Sequence, residues 1–275
     1  MSEPYEAADG LVRVYPAAHA GGAGLVWAHG GGFAFGDLDM PESDRVAREL
    51  AARGTTVVSV DYRLAPVPAG LDDVAERPGE HFPAGSDDMV AAFRWTHAHA
   101  HDLGIRADAL AIGGTSAGGN LAAGAALRLS GSADAPALVV LAYPTLLAVQ
   151  PAPDAALRAA LDADPEADRF GPAAVLWMYE NYLGGPVDGA PLTAIPGLAT
   201  ASDLTDFPPT LMINGEVDEL RVSGEHFAAT LASAGRDIEV VTEPGTHHGH
   251  LNRPDEEAAT RTTARIAARL KTLTP

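Results

Sequence analysis

The stretch AIGGTSAGGNLAAGAALRL, beginning at Ala111, restricts the folds open to this chain more than any other. Its first part is apolar and reads as a strand over 109–114; its second, rich in alanine and leucine, reads as a helix over 117–130. Between them stands Ser116, with Gly114 two residues before it and Gly118 two residues after. A turn that converts a strand directly into a helix presses those two positions against neighbouring elements, so side chains there would collide. The same turn pushes the serine outward at a helix N-terminus. A serine hydroxyl is a weak nucleophile unless it is exposed, aligned with a base and close to donors that hold an oxyanion. The duller alternative is a glycine-rich helix start with a capping serine.

The rest of the chain supplies the sheet that such a turn needs. Apolar runs at 24–29, 55–60, 109–114, 137–143, 209–214 and 237–243 read as strands, several of them apolar throughout, as in a parallel sheet covered on both faces. Helices are expected near 40–53, 85–103, 117–130, 219–235 and 254–272. This alternation predicts an α/β fold: one doubly wound, mostly parallel sheet with helices on both faces, and a single domain over 1–275. Two regions break the rhythm. Residues 66–81, rich in Pro, Gly and charge, read as a surface loop. Residues 145–208 separate two strands by far more than a usual connection and carry a helix over 172–183, so they are expected to form a small inserted cap or lid.

Upstream, WAHGGGFAFGD (27–37) closes the first apolar strand in three glycines, where backbone amides can approach a ligand unobstructed. The amides of Gly31 and Gly32, joined by that of Ala117, are the expected oxyanion donors, with His29 bracing the loop. An acid and a base should follow in that order. Glu216, Asp218 and Glu219 lie past one strand end, and His247, His248 and His250 past the last strand. Spacing alone leaves the choice within each cluster open.

Taken together, HGGGFAFGD, DYRLAP (61–66), FPAGSDD (82–88), GTSAGGN (114–120), GEVDELRVSG (215–224) and GTHHGH (245–250) resemble the bacterial hormone-sensitive-lipase-like esterases, family IV of the α/β-hydrolase superfamily, in their GTSAG branch. The resemblance covers roughly residues 24–252 and implies an α/β-hydrolase fold and a serine carboxylesterase acting on short-chain esters. It places the acid at Asp218, with Glu216 as rival, and the base at His248. Candidates to line the substrate pocket are Phe33, Phe35, Phe170, Trp177, Tyr179 and His250. The chain departs from the family pattern at Glu219, at Val222 and Ser223, at His250 where an aromatic is usual, and in an insertion at 67–79. Little precedes the first HGGG strand, so the cap is expected to come almost wholly from 145–208, leaving an open cleft or one walled by the partner in a homodimer. Rival readings are an acyltransferase, an amidase or a specialised-metabolite deacylase with the same triad, and a non-catalytic small-ligand binding protein.

Charge and composition narrow the partners. Eighteen Lys and Arg against 37 Asp and Glu give a net charge of −19, which repels nucleic acid and anionic membranes. With no cysteine there is no thiolate nucleophile, disulfide or Cys-ligated zinc. No basic leader, and no apolar run long enough to span a bilayer, interrupts the chain, so a cytoplasmic protein with a small-molecule ester substrate is expected. The triad scheme needs no cofactor and no metal. His97, His99 and His101 lie two apart, and only the first and last share a helix face, too few ligands for a metal site.

Overall fold

The computed structural model describes residues 3–69 and 74–274. One sheet of eight strands runs in the order β1-β2-β4-β3-β5-β6-β7-β8. Its six parallel members are β3 (Gly22–Ala28), β4 (Thr56–Val60), β5 (Ile105–Thr115), β6 (Leu138–Ala142), β7 (Thr210–Val217) and β8 (Ile238–His247). All six coincide with the apolar runs, although β7 and β8 continue further, to Val217 and His247. That extension carries the loops of Asp218 and His248 close together, since Val217 pairs with His247.

Two short strands, β1 (Tyr5–Ala7) and β2 (Val12–Tyr15), add an antiparallel hairpin at the β4 edge. They have no counterpart among the expected strands, because four residues of alternation are too few to stand out in a hydrophobic pattern.

Along the parallel strands alternate side chains enter different cores. Val26, Val58, Val60, Val139 and Leu141 join a cluster with residues of α2 (Ala84–Ala98), α3 (Ser116–Leu129) and α6 (Arg221–Ser233). Leu25, Trp27, Val57, Val140 and Ile213 join the opposite one, with α1 (Asp44–Ala52) and α7 (Glu257–Lys271). Both faces are therefore covered, which explains why these strands read as continuous apolar runs. The helix expected to reach 103 ends instead at Ala98, and the following residues are turns.

Residues 145–208 hold two helices, α4 (Ala155–Ala163) and α5 (Pro172–Leu183). The first is absent from the sequence reading, yet Asp154 caps it by accepting from the Leu157 amide at 2.8 Å. Its buried Leu157 and Leu161 pack with Val217 and Val222, on either side of Asp218 in sequence. The second puts Val175, Met178, Tyr179 and Tyr182 into the larger core. The base of the 66–81 loop is pinned by Val67 and Arg77, which exchange backbone hydrogen bonds of 2.8 and 3.0 Å; its positions 70–73 lie outside the described residues. Among the described residues no helix is long and apolar enough to cross a membrane.

Candidate active site

Ser116 opens α3 directly from the end of β5, with φ at +49°, a conformation that costs a non-glycine residue energy. The flanking glycines are required by packing. A Cβ on Gly118 would lie 2.3 Å from the carbonyl oxygens of Ala28 and His29. One on Gly114 would meet the Gly118 backbone at 2.5 Å and the Ala28 oxygen at 2.7 Å. The elbow is thus wedged against the end of β3, and the strand-to-helix turn cannot relax away from it.

The ends of β7 and β8 bring two more side chains to the serine. His248 Nε2 lies 2.9 Å from Ser116 Oγ, and His248 Nδ1 lies 2.8 Å from Asp218 Oδ2. Asp218 is fully buried and its other oxygen accepts from the Leu220 amide at 2.9 Å. An ionised carboxylate can only accept, so the proton of the imidazole belongs on Nδ1, which leaves the Nε2 lone pair facing the serine hydroxyl. The neighbouring candidates point elsewhere. Glu216 is exposed and takes the Gly245 amide at 2.7 Å, while His247 meets Asp164 at 2.8 Å.

The glycine loop after β3 completes one side. Gly31 and Gly32 have φ of +112° and +59°, and a Cβ on Gly31 would fall 2.0 Å from the Phe35 carbonyl oxygen. Gly31 turns its own carbonyl back to the amides of Ala34 and Phe35, at 3.2 and 2.9 Å. The amides of Gly31 and Gly32 have no acceptor among the described residues, and Ala117 belongs to the first helical turn, whose amides lack intrahelical partners. His29 lies behind the loop, stacked on Tyr62 at 4.5 Å with Nδ1 2.7 Å from the Gly30 carbonyl; burial pushes its pKa down. Arg63 clamps Asp88 further back, at 2.9 Å.

One residue of this assembly escapes sequence reasoning. Glu42, almost fully buried, accepts from the Gly30 amide at 2.7 Å and from the Tyr143 hydroxyl at 2.8 Å. Its carbonyl takes the Trp27 indole at 2.9 Å, and its amide donates to Asn252 at 3.2 Å. The Tyr143 ring stands edge-on to His248, with centroids 5.1 Å apart. Glu42 therefore ties the glycine loop to the histidine loop. In sequence it is one acid among several in DLDMPESD, with nothing to mark it.

A cleft of about 640 Å³ opens over these groups, bordered by Ser116, His248, Gly31 and Gly32 and walled by Phe35, Met40, Phe170, Trp177 and Met178. Three of the expected pocket residues stand elsewhere. Phe33 is buried behind the loop, stacked on Tyr182 at 4.0 Å, because its positive φ (+67°) turns the side chain into the α5 interface. Tyr179 faces the core, where its hydroxyl donates to the Thr145 carbonyl at 2.9 Å and accepts from Asn120 at 2.9 Å. His250 lies under the loop, with Nε2 2.8 Å from Thr262 Oγ1, and burial lowers its pKa to about 4. Phe35, Phe170 and Trp177 do line the cleft, Phe170 against His248 with centroids 4.6 Å apart. The three clustered histidines are dispersed: His99 stacks on Trp95, His101 is fully exposed and His97 lies 4.0 Å from Asp134.

Residues 25–252 match the family model described as alpha/beta hydrolase fold. Carboxylesterase NlhH of Mycobacterium tuberculosis is 38% identical over 253 residues, covering 89% of this chain and 73% of its own. An ethyl acetate hydrolase of Pseudomonas putida is 33% identical over 239 residues, which are 84% of this chain and 66% of that one. Among solved structures, an esterase of Pyrobaculum calidifontis superposes with a TM-score of 0.79 at 31% identity, over 99% of this chain and 84% of its own.

Proposed function

We propose that this chain, which belongs to the alpha/beta hydrolase fold family and within it to the hormone-sensitive-lipase-like esterases, cleaves short-chain carboxylic esters through Ser116, His248 and Asp218. That it is a carboxylic ester hydrolase follows from the relatives; the assignment of roles is ours. The observation that carries it is the unbroken chain from Ser116 Oγ to His248, 2.9 Å, and from His248 to Asp218, 2.8 Å.

In this scheme Ser116 Oγ attacks the ester carbonyl carbon while His248 Nε2 takes the hydroxyl proton. Asp218 holds the imidazole tautomer and stabilises the imidazolium. The carbonyl oxygen, now negative, receives the amides of Gly31, Gly32 and Ala117, at the positive end of α3. Collapse of the intermediate breaks the bond to the alcohol, which leaves with the proton from His248. Water, deprotonated by the same histidine, then attacks the acyl-enzyme and releases the acid and free Ser116.

The segment 145–208 serves as the cap, since Phe170, Trp177 and Met178 from it wall the cleft. Bulky side chains this close to the serine favour short acyl groups. A long acyl chain needs a deep apolar tunnel, where each buried methylene adds about 0.8 kcal/mol. Hydrolysis of a series of p-nitrophenyl esters tests the reading: kcat/KM should be highest from acetyl to butyryl and fall beyond about eight carbons, as expected for walls of this kind. A steady rise to dodecanoyl, measured below the aggregation threshold, would point to a lipase instead.

A further inference from the structure

Ester cleavage as described leaves one feature of the cleft unused. In a chain of 37 acids and 18 bases, two arginines, Arg169 and Arg253, line the cleft. The one carboxylate lining it, Glu42, is already occupied by the Gly30 amide and the Tyr143 hydroxyl. Elsewhere arginines close tight ion pairs, as Arg106 does with Asp108 at 2.7 Å, Arg158 with Asp168 at 2.6 Å and Arg269 with Asp237 at 2.8 Å. Among the described residues Arg169 has no carboxylate partner; its guanidinium lies over the Phe170 ring, 5.9 Å from the centroid. Arg253 meets only Glu256, at 3.4 Å, with both side chains more than two-fifths exposed. Such a loose, solvated pair contributes little and yields easily to a competing anion.

Their positions assign a side of the cleft. Phe170 stands against the His248 ring at 4.6 Å, so Arg169 reaches the cleft along the histidine wall. Arg253 lies on the loop that carries His248 and Gly249, both of which also line the cleft. In the proposed scheme His248 hands its proton to the departing alcohol, so this wall borders the alcohol half of the ester. A guanidinium presents a planar fork that matches a carboxylate. The net charge of −19 opposes anions, but at physiological salt charges farther than about 8 Å are largely screened, and the local pair decides.

We infer that the ester cleaved here carries a carboxylate on its alcohol half, as in an ester of a hydroxy acid, and that Arg169 and Arg253 receive it at the mouth of the cleft. This rests on the esterase reading and names its substrate class.

The test compares the acetate ester of 3-hydroxybenzoate with that of 3-hydroxybenzamide, which match in shape and differ in charge. The quantity read is the ratio of kcat/KM for the anionic ester over the neutral one. Arg169→Gln and Arg253→Gln should each lower it about three- to fivefold, the upper range for solvated ion pairs, and the double variant by about tenfold or more. Raising salt from roughly 0.05 M to 0.5 M should lower the wild-type ratio as well. Arg265→Gln, an exposed arginine on α7 that does not line the cleft, makes the same change in net charge and should leave the ratio alone. An unchanged ratio in the double variant, or an equal drop in Arg265→Gln, overturns the inference. So does an arginine-dependent preference found only for p-nitrophenyl hemiglutarate, whose carboxylate is on the acyl half. Failure to hydrolyse even the neutral ester would instead sink the esterase reading, and the inference with it.

Discussion

The elbow at Ser116 and the segment 145–208, proposed above as the cap, line one cleft, but they are held in place by different forces. The elbow is fixed by backbone: Cβ atoms added at Gly114 or Gly118 would meet main-chain atoms at 2.3–2.7 Å, so neither loop nor helix start can shift. The cap helix α5 is held mostly by side chains, chiefly the Phe33–Tyr182 stack at 4.0 Å and the Asn120 amide donating to the Tyr179 hydroxyl at 2.9 Å, with one backbone bond from the Phe82 amide to the Tyr182 carbonyl at 2.7 Å, and its Trp177 is 41% exposed. Backbone wedging leaves the Ser116 elbow no room to shift. Side-chain packing gives a wall whose shape can change without moving the reacting atoms. Substitutions should therefore lose effect on passing from the strand ends to the cap.

The largest effect is expected at the strand ends. Ser116→Ala and His248→Ala should each lower kcat by about 10⁶, and the double variant should be hardly worse, because such groups act as a unit. Asp218→Asn should keep the fold and cost about 10⁴, since an amide at 2.8 Å from Nδ1 favours the wrong tautomer. Steady-state rates against p-nitrophenyl acetate check all four. If Glu216→Gln proved as damaging as Asp218→Asn, the exposed acid would have to be reassigned the role.

That asymmetry also explains what the sequence revealed. The elbow, the glycine loop and the six parallel strands were legible because each has a local cause: glycine where a Cβ has no room, apolar residues where both sheet faces are covered. Asp218 and His248 were narrowed by order and by family pattern, and only three-dimensional packing shows Glu216 and His247 turned away to Gly245 and Asp164. Glu42 is invisible in sequence because its partners, Gly30 just past β3 and Tyr143 just past β6, are brought together only by the folded sheet, the second from 101 residues away. Phe33, Tyr179 and His250 were misplaced for a related reason. Nearness in sequence to a functional loop, for Phe33 and His250, or a place on the helix over the cleft, for Tyr179, says nothing of which way a side chain turns, and a φ of +67° sends Phe33 into the core. The hairpin β1–β2 and helix α4 were too short, or too lightly patterned, to separate from loop.

Beneath the histidine loop the expected effect is smaller and is one of stability. His250 is held neutral with a pKa of about 4, chiefly by burial and next by the neighbouring His248. In the unfolded chain it titrates near 6.5, so between these values the unfolded state binds a proton that the folded state refuses. Its neutral burial is thus fully tolerated above pH 6.5 and destabilises progressively as pH falls toward about 4, by about 3 kcal/mol in all. His29, also depressed by burial, acts in the same direction. Urea denaturation from pH 7 to 4 should show this loss, and His250→Phe should flatten it. An equal slope in that variant would assign the loss to other groups.

Glu42→Ala should come next, lowering kcat about ten- to a hundredfold with little change in KM. It strands the Gly30 amide and the Tyr143 hydroxyl, each a buried donor whose lost partner costs about 1–3 kcal/mol. Glu42→Gln can still accept from Gly30 through its amide oxygen while its nitrogen donates to the Tyr143 oxygen, so it should recover most of the rate. Wild-type kcat in the alanine variant would mean the glycine loop holds its shape without this tie.

The smallest effect belongs to the cap, and it tests the comparison most directly. Trp177 lines the cleft from α5 while remaining 41% exposed, so Trp177→Ala removes wall area without opening a hole in the core. The stability cost should be slight, and kcat/KM on acetyl esters should change by less than about tenfold, because the reacting atoms are positioned by β5, β7 and β8. What should change is the dependence on acyl length. Each methylene that gains cover adds up to about 0.8 kcal/mol, nearly fourfold, and a partly solvated groove gives about half of that in energy, roughly twofold. The fall from butyryl to octanoyl expected of the wild-type protein should therefore become shallower or vanish in the variant. Two results would break the contrast. A loss of a hundredfold or more on the acetyl ester would mean that the cap positions the reacting groups as the elbow does. An unchanged length profile would mean that the limit on acyl chains is set by the glycine loop and Phe35, which also line the cleft.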